Sequence, residues 1–200
     1  MMQDGLAFGG LEQALESIGF LIRSKLHNKE VSAMTSNFVP MEFQLKTERL
    51  DLNMWEESDA VWMRQLVGER GVEMPTLDEA RSQIINMRKR AAESGISLLT
   101  IRRLKEGDFI GYCGLIIGRS TLDEPEIAYE LFRSAHGKGY ATEAASVVLD
   151  AAIATGRRRL WSTVRIWNNA SFRVLEKLGF ERHHITWDER GELVWNVREL

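Results

Sequence analysis

Arg133-Ser134-Ala135-His136-Gly137-Lys138-Gly139-Tyr140-Ala141-Thr142-Glu143-Ala144 is the stretch that decides the fold. Before it, Glu126 to Phe132 alternates as a strand does. After it, a run rich in Ala, Val and Leu reaches Thr155, apolar nearly all round, as a buried helix is. A strand that turns sharply into a helix gathers several backbone N–H groups at one spot, with the helix dipole behind them. Such a spot binds phosphate. Leu160 to Ile166 forms the next strand, and a right-handed crossover makes it a parallel partner of 126–132.

Outward from this unit the patterns stay regular. Phe43, Leu45, Leu50, Leu52 and Met54 alternate as a strand. Ser58 or Asp59 can cap a short helix ending at Gly68. Thr76-Leu77-Asp78-Glu79 is a capping box, and Leu77, Ala80, Ile84, Met87 and Ala91 share one face of the helix it opens. Ser97–Leu104 and Phe109–Ile117 read as a hairpin around Gly107. Asn168 or Asn169 caps a helix ending at Gly179, and 180–187 and 193–197 close the chain as a hairpin around Gly191. The expected fold is α/β: a mixed, mostly antiparallel central sheet with one parallel strand pair and flanking helices. Ligands of such sheets bind outside the strand ends, at the first turn of a crossover helix.

Residues 1–41 differ from the rest and read as an N-terminal amphipathic helix and linker before a domain spanning 42–200. Leu11, Leu15, Ile18, Ile22 and Leu26 fall at helical spacing. Either this helix packs on its own domain, or it serves dimerisation or a partner, giving a homodimer. Translation starting at Met34 or Met41 is a third reading.

Composition sets bounds. The 200 residues are 44% hydrophobic and 28% charged, which excludes disorder for the whole chain. A net charge of -3 argues against nucleic acid as the main partner. A single cysteine, Cys113, rules out an internal disulfide framework and points to a reducing compartment. No apolar run has the length of a membrane span, and no secretory signal pattern opens the chain. The expectation is a soluble cytoplasmic protein that engages neither membrane nor nucleic acid.

The glycine run narrows the ligand. No Gly-x-x-x-x-Gly-Lys-[Ser/Thr] occurs, so it is not a P-loop. It lacks the third dinucleotide-type glycine, and the following strand does not end in a ribose-binding acid. What remains is a short anion cradle beside Lys138, suited to a pyrophosphate; the structural alternative is a tight turn and nothing more.

Here the chain resembles the GNAT acetyltransferase superfamily, whose acetyl-CoA turn reads Arg/Gln-x-x-Gly-x-Gly/Ala. His136-Gly137-Lys138-Gly139-Tyr140-Ala141 fits all but its first position. Gly-Lys-Gly-Tyr-Ala-Thr-Glu-Ala looks like the branch that acetylates ribosomal-protein N-termini. The block from Asn168-Asn169-Ala170-Ser171 to Gly179-Phe180 and the opening Thr47-Glu48-Arg49-Leu50-Asp51-Leu52 agree. The resemblance covers about 43–200 and implies the acyl-CoA N-acyltransferase fold, acetyl-CoA as cosubstrate and an amine as acceptor.

It also implies roles. Backbone amides of Gly137 through Ala141, with Lys138, Gly139, Tyr140 and Thr142 in the same turn, would hold the pyrophosphate. Backbone groups of Leu131, Phe132 and Arg133 would pair with the pantetheine arm, in a slot left where their strand splays from its neighbour. The N–H of Leu131 or Phe132 would face the carbonyl oxygen, Asn168 would bind pantetheine, and Ser171 would meet the sulfur and act as general acid. Read without the resemblance, Asn168 and Ser171 are ordinary helix caps. A base must take the amine's proton. Glu126 and Glu130 share one strand face, and Glu126 is favoured, with Glu130 or water as alternatives. The rival functional reading is a non-catalytic acyl-CoA sensor acting through the N-terminal helix.

Other residues read as structural. Cys113 should be buried packing. His183 and His184, adjacent on a strand, should point to opposite faces and hold no metal. Arg157, Arg158 and Arg159 follow a helix C-terminus, where cations are favourable, with a 3′-phosphate contact as second reading. Trp161, Trp167, Trp187 and Trp195 should fill core or line the cleft.

Overall fold

The computed structural model describes residues 38–200. The helix expected over 11–26 lies outside the described residues. Eight strands form one sheet in the order β1-β2-β3-β4-β5-β6-β8-β7. They are β1 Gln44–Lys46, β2 Leu50–Met54, β3 Leu98–Arg103, β4 Phe109–Ile116, β5 Glu126–Leu131, β6 Arg159–Arg165, β7 Glu181–Asp188 and β8 Gly191–Glu199. The helices are α1 Ala60–Gly68, α2 Leu77–Ser94, α3 Tyr140–Ala154 and α4 Asn169–Lys177. Every pairing is antiparallel except β5 with β6. The mixed sheet with one parallel pair is therefore as the sequence pattern implies.

Alternation along the strands builds two cores. Leu99, Ile101, Cys113, Leu115 and Ile127 pack with Ala144, Ala145 and Val148 of α3 and Phe172 and Leu175 of α4. On the other face, Leu98, Phe109 and Tyr112 pack with Trp55, Met63 and Leu66 around α1 and Ile84 of α2. Each large apolar side chain so buried contributes roughly 1.5–3 kcal/mol. Ile110 is an extra residue in β4, where Ile101 and Arg102 of β3 face Gly111 and Phe109. This bulge sends Phe109 and Tyr112 to one core and Ile110 and Cys113 to the other.

Three local features differ from the sequence reading. The first strand pattern is two strands, because the Thr47 hydroxyl accepts from the Leu50 N–H (2.9 Å) and folds residues 46–50 into a turn. Asp59 stands at the α1 cap position but makes no side-chain capping bond; it pairs with Arg102 instead. The last strand lies inside the sheet, because β8 pairs with β6 and leaves β7 at the edge. Thr76 caps α2 reciprocally with Glu79, as its pattern predicts. Residues 39–41 already belong to the domain: Val39 donates to the Thr155 carbonyl, Met41 to that of Gly95, and the Met41 side chain is buried.

Candidate active site

The site begins as a failure of strand pairing. β5 keeps register with β4 from Glu126 to Leu131, yet with β6 it pairs only at Glu126–Trp161. Beyond that point the two strands part. The Phe132 N–H donates to the Ile110 carbonyl across the β4 edge (2.9 Å). Backbone direction alternates, so the N–H groups of Tyr129 and Leu131 point the other way, into the gap. Of the two oxyanion donors considered from the sequence, Phe132 is thus committed to the sheet and Leu131 faces the opening. The backbone of Arg133 is engaged as well: its N–H donates to Glu69 Oε2 (2.8 Å) and its carbonyl accepts from His136 N–H.

The gap widens into a cleft of about 320 Å³ lined by β5, β6 and the first turns of α3 and α4. At its wide end the chain enters α3 through Gly139, φ +83°, with no side-chain cap. The first intrahelical bond is Glu143 N–H to the Gly139 carbonyl, so the amides of Tyr140, Ala141 and Thr142 have no helical acceptor. Uncapped first-turn amides at the end of an open slot are the donor set a pyrophosphate takes. Lys138 does not point into the cleft; its Nζ donates to the Ser134 carbonyl (2.8 Å). His136 Nε2 lies 2.9 Å from the Leu131 carbonyl and ties the turn back to β5. Arg133, His136, Arg173 and Lys177 make this end of the lining basic.

A brace missed in the sequence holds the cradle. Arg49 donates to the Lys138 carbonyl (3.1 Å) and to Glu143 Oε2 (2.6 Å), and its guanidinium lies 4.7 Å from the centre of the Tyr140 ring. Thr47 adds a 2.5 Å hydrogen bond to Glu143 Oε1. The signal was present in Thr47-Glu48-Arg49 and in Glu143, but nothing local says that residues 94 positions apart meet.

At the narrow end, Asn168 Oδ1 caps α4 by accepting from the Ser171 N–H (3.1 Å). The capping reading of Asn168 is therefore correct as far as it goes. The Ser171 side chain is half-buried in the cleft wall, and its carbonyl accepts from Tyr129 Oη (3.1 Å). Tyr129 crosses from β5 to α4, a bridge with no sequence signature. Burial pushes its phenol, and the Cys113 thiol, well above their ordinary values.

Glu126 lines the cleft where the strands begin to part and is 2% exposed. One oxygen accepts from Thr163 Oγ1 (2.7 Å), the other from the Arg119 N–H. Burial raises its carboxyl above the usual range, against the lowering effect of those two bonds. Glu130 is differently placed: Arg70 holds it through two N–H donors, and Tyr112 Oη donates to it (3.0 Å). Across the gap, Arg165 grips Asp188 with two bonds of 2.7 Å.

Residues 48–181 match the GNAT acetyltransferase domain. The chain belongs to the GNAT acetyltransferase family. The N-acetyltransferase p20 of Bacillus licheniformis is 26% identical over 161 residues, 75% of this chain and 90% of that protein. A GnaT-family acetyltransferase from Bordetella pertussis superposes with a TM-score of 0.69 at 22% identity, over 78% of this chain and 99% of that one. RimL, a ribosomal L7/L12 alpha-N-protein acetyltransferase solved with coenzyme A, gives 0.67 at 15% identity, over 82% and 98%.

Family membership leaves several side chains structural. Arg157 donates to the Leu122 carbonyl and covers Phe38, and Arg159 pairs with Glu124 and Glu199. Trp161, Trp167, Trp187 and Trp195 neither join the buried core nor line the cleft: Trp167 and Trp187 are exposed, and Trp161 and Trp195 meet each other and His184 on the sheet. His183 and His184 do not point apart as strand alternation predicts. A bulge between Arg182 and His184 brings their Nδ1 atoms to 2.7 Å, one imidazole donating to the other. Among the described residues no group of three metal-ligating side chains occurs, and no helix is long and apolar enough to cross a membrane.

Proposed function

We propose that this GNAT chain transfers the acetyl group of acetyl-CoA to a primary amine, on a protein N-terminus or a small molecule, by direct attack within a ternary complex. One observation carries the reading: the β5–β6 gap runs from the uncapped first turn of α3 to the Ser171 hydroxyl. Bound there, the thioester supplies an activated acyl group. The amides of Gly137 through Thr142 hold the diphosphate, and the Leu131 edge pairs with the amide-bearing arm. The Leu131 N–H stabilises charge growing on the carbonyl oxygen; one such donor contributes about 3–4 kcal/mol. Ser171 donates to the departing sulfur. Glu126 takes the amine's proton, directly or through a water, and its burial, which raises its proton affinity, favours that role. The ion pair of Glu130 with Arg70 supports Glu126, which accepts from the Thr163 hydroxyl and the Arg119 N–H, over Glu130 in this role.

Thiol release from acetyl-CoA across an amine panel, including peptides with free N-termini, tests this. Ser171→Ala should lower kcat by roughly 100-fold with CoA affinity unchanged. The base must be deprotonated, so the wild-type rate should climb with pH on a limb displaced above the ordinary Glu value of about 4.3; Glu126→Gln should remove that limb. Tight CoA binding with no turnover on any amine would point instead to an acyl-CoA sensor.

A further inference from the structure

We infer that Glu69 and Arg70, at the end of α1, are positioning residues that aim the Leu131 N–H by standing in for the strand neighbour β5 lacks. The inference rests on the acetyltransferase reading above and adds a device to it. Where β5 leaves β6, strand pairing continues on the β4 edge alone, and the other side has side-chain ties from His136 to the Leu131 carbonyl and from Tyr129 to α4. A strand secured along one edge can pivot about it, and a donor aimed into the gap would pivot too. Misplacement of a catalytic group by about 1 Å costs on the order of 100-fold in rate. Something other than β6 must hold the free edge.

Two adjacent residues supply that hold. Arg70, buried, takes Glu130 with Nε (2.8 Å) and Nη2, and Tyr112 Oη secures the same carboxylate. Glu69 accepts the Arg133 N–H at Oε2, and its carbonyl accepts from Arg133 Nη2 (2.5 Å). The two contacts differ in kind: 69–133 is side chain to backbone in both directions, and 70–130 is an ion pair between side chains. They grip β5 one residue before Leu131 and two residues after it. All four residues line the cleft. A planar guanidinium that donates two parallel bonds fixes orientation as well as distance, which a lysine does not.

The packing of α1 explains why these positions are rigid. Met63, Leu66 and Val67 bury the helix in the second core, and the 69–71 backbone continues its hydrogen bonds to Gln65, Val67 and Gly68. The grip is therefore anchored to a core and not to a mobile loop.

The test separates aim from affinity and from folding. In wild type and in Arg70→Lys, Arg70→Gln and Glu69→Ala, three quantities are measured: amide hydrogen exchange along β5 in the free protein, CoA affinity by calorimetry, and kcat with the best acceptor of the amine panel. Arg70→Gln should speed exchange at Phe132 and Arg133, whose N–H groups are bonded to Ile110 and Glu69, by at least about tenfold while β3 amides stay protected. It should lower kcat by roughly 10- to 100-fold with CoA affinity within about threefold. Arg70→Lys should fall between it and wild type. Glu69→Ala, at a half-buried position that leaves the core intact, should show the same pattern at Arg133 if the buried variants fail to fold. Unchanged exchange at Phe132 and Arg133, or kcat and CoA affinity falling in parallel, would overturn the positioning role. Absence of CoA binding in wild type would instead break the reading on which it rests, and exchange along β5 still decides whether Glu69 and Arg70 brace the strand.

Discussion

Along its β4 edge, β5 keeps register for six residues, whereas along its β6 edge it pairs at one. The first edge is so close that a Cβ at Gly111 would collide with the Glu130 carbonyl and the Leu131 Cα. The second is open enough for a cleft of about 320 Å³. One strand thus has an edge that excludes a single methyl group and an edge that admits a ligand. The positive φ of Gly111, +150°, belongs to the closed edge; Gly139 and the uncapped turn of α3 belong to the open one. Glycine serves both, for different reasons: close approach at Gly111, a left-handed entry to α3 at Gly139.

Substituting each glycine separates the two edges. Gly111→Ala should be the most damaging change to the fold. Overpacking plus backbone strain costs roughly 3 kcal/mol, a Tm loss of about 10 °C by calorimetry. Gly139→Val should leave a larger share of stability intact, with about 1–2 kcal/mol of left-handed strain. It should nonetheless weaken CoA binding by about two orders of magnitude, since charge-assisted amide bonds of roughly 1.5–3 kcal/mol each are lost. Equal Tm losses with equal affinity losses would mean that the two edges are not functionally distinct.

The far bank of the gap predicts a smaller effect. Arg165 on β6 holds Asp188, and the two hydrogen bonds from Arg165 are the main reason the Asp188 carboxyl is lowered to about 2. A depressed carboxyl contributes stability that is present above the unfolded value near 3.9 and lost as pH falls toward the folded one. Asp188 is 30% exposed at its side chain, so screening limits the pair to about 1 kcal/mol. Asp188→Asn should lower Tm by a few degrees at pH 7, and the difference should close between about pH 4 and pH 2. A difference that persists at pH 2 would place the stabilisation elsewhere.

The closed edge and the open one were not equally legible in the sequence. Period-two alternation, the Thr76 capping box and the glycine-led entry to α3 are local signals, and every strand and helix they imply among the described residues is present. Local signals also led astray. Alternation misassigned His183 and His184 because a bulge adds a residue without any marker in composition. The parallel pairing of β5 and β6 followed from crossover handedness, but the single point of pairing depends on long-range packing. The same is true of Arg49 against Glu143 and of Glu69 and Arg70 against β5. Each requires knowing which turns the sheet brings together. Of the tryptophans taken for core or cleft, Trp161 and Trp195 pack on each other on the sheet and Trp167 and Trp187 are exposed, since aromatic content says nothing about which positions the fold leaves open.

The central claim is that the open edge of β5, with the first turn of α3, holds acetyl-CoA. Calorimetric titration of the full chain with CoA tests it most directly, with Gly139→Val beside wild type. One saturable site per chain in wild type, weakened about 100-fold in the variant, is the expected result. No heat at millimolar CoA, or equal affinity in both proteins, would contradict it.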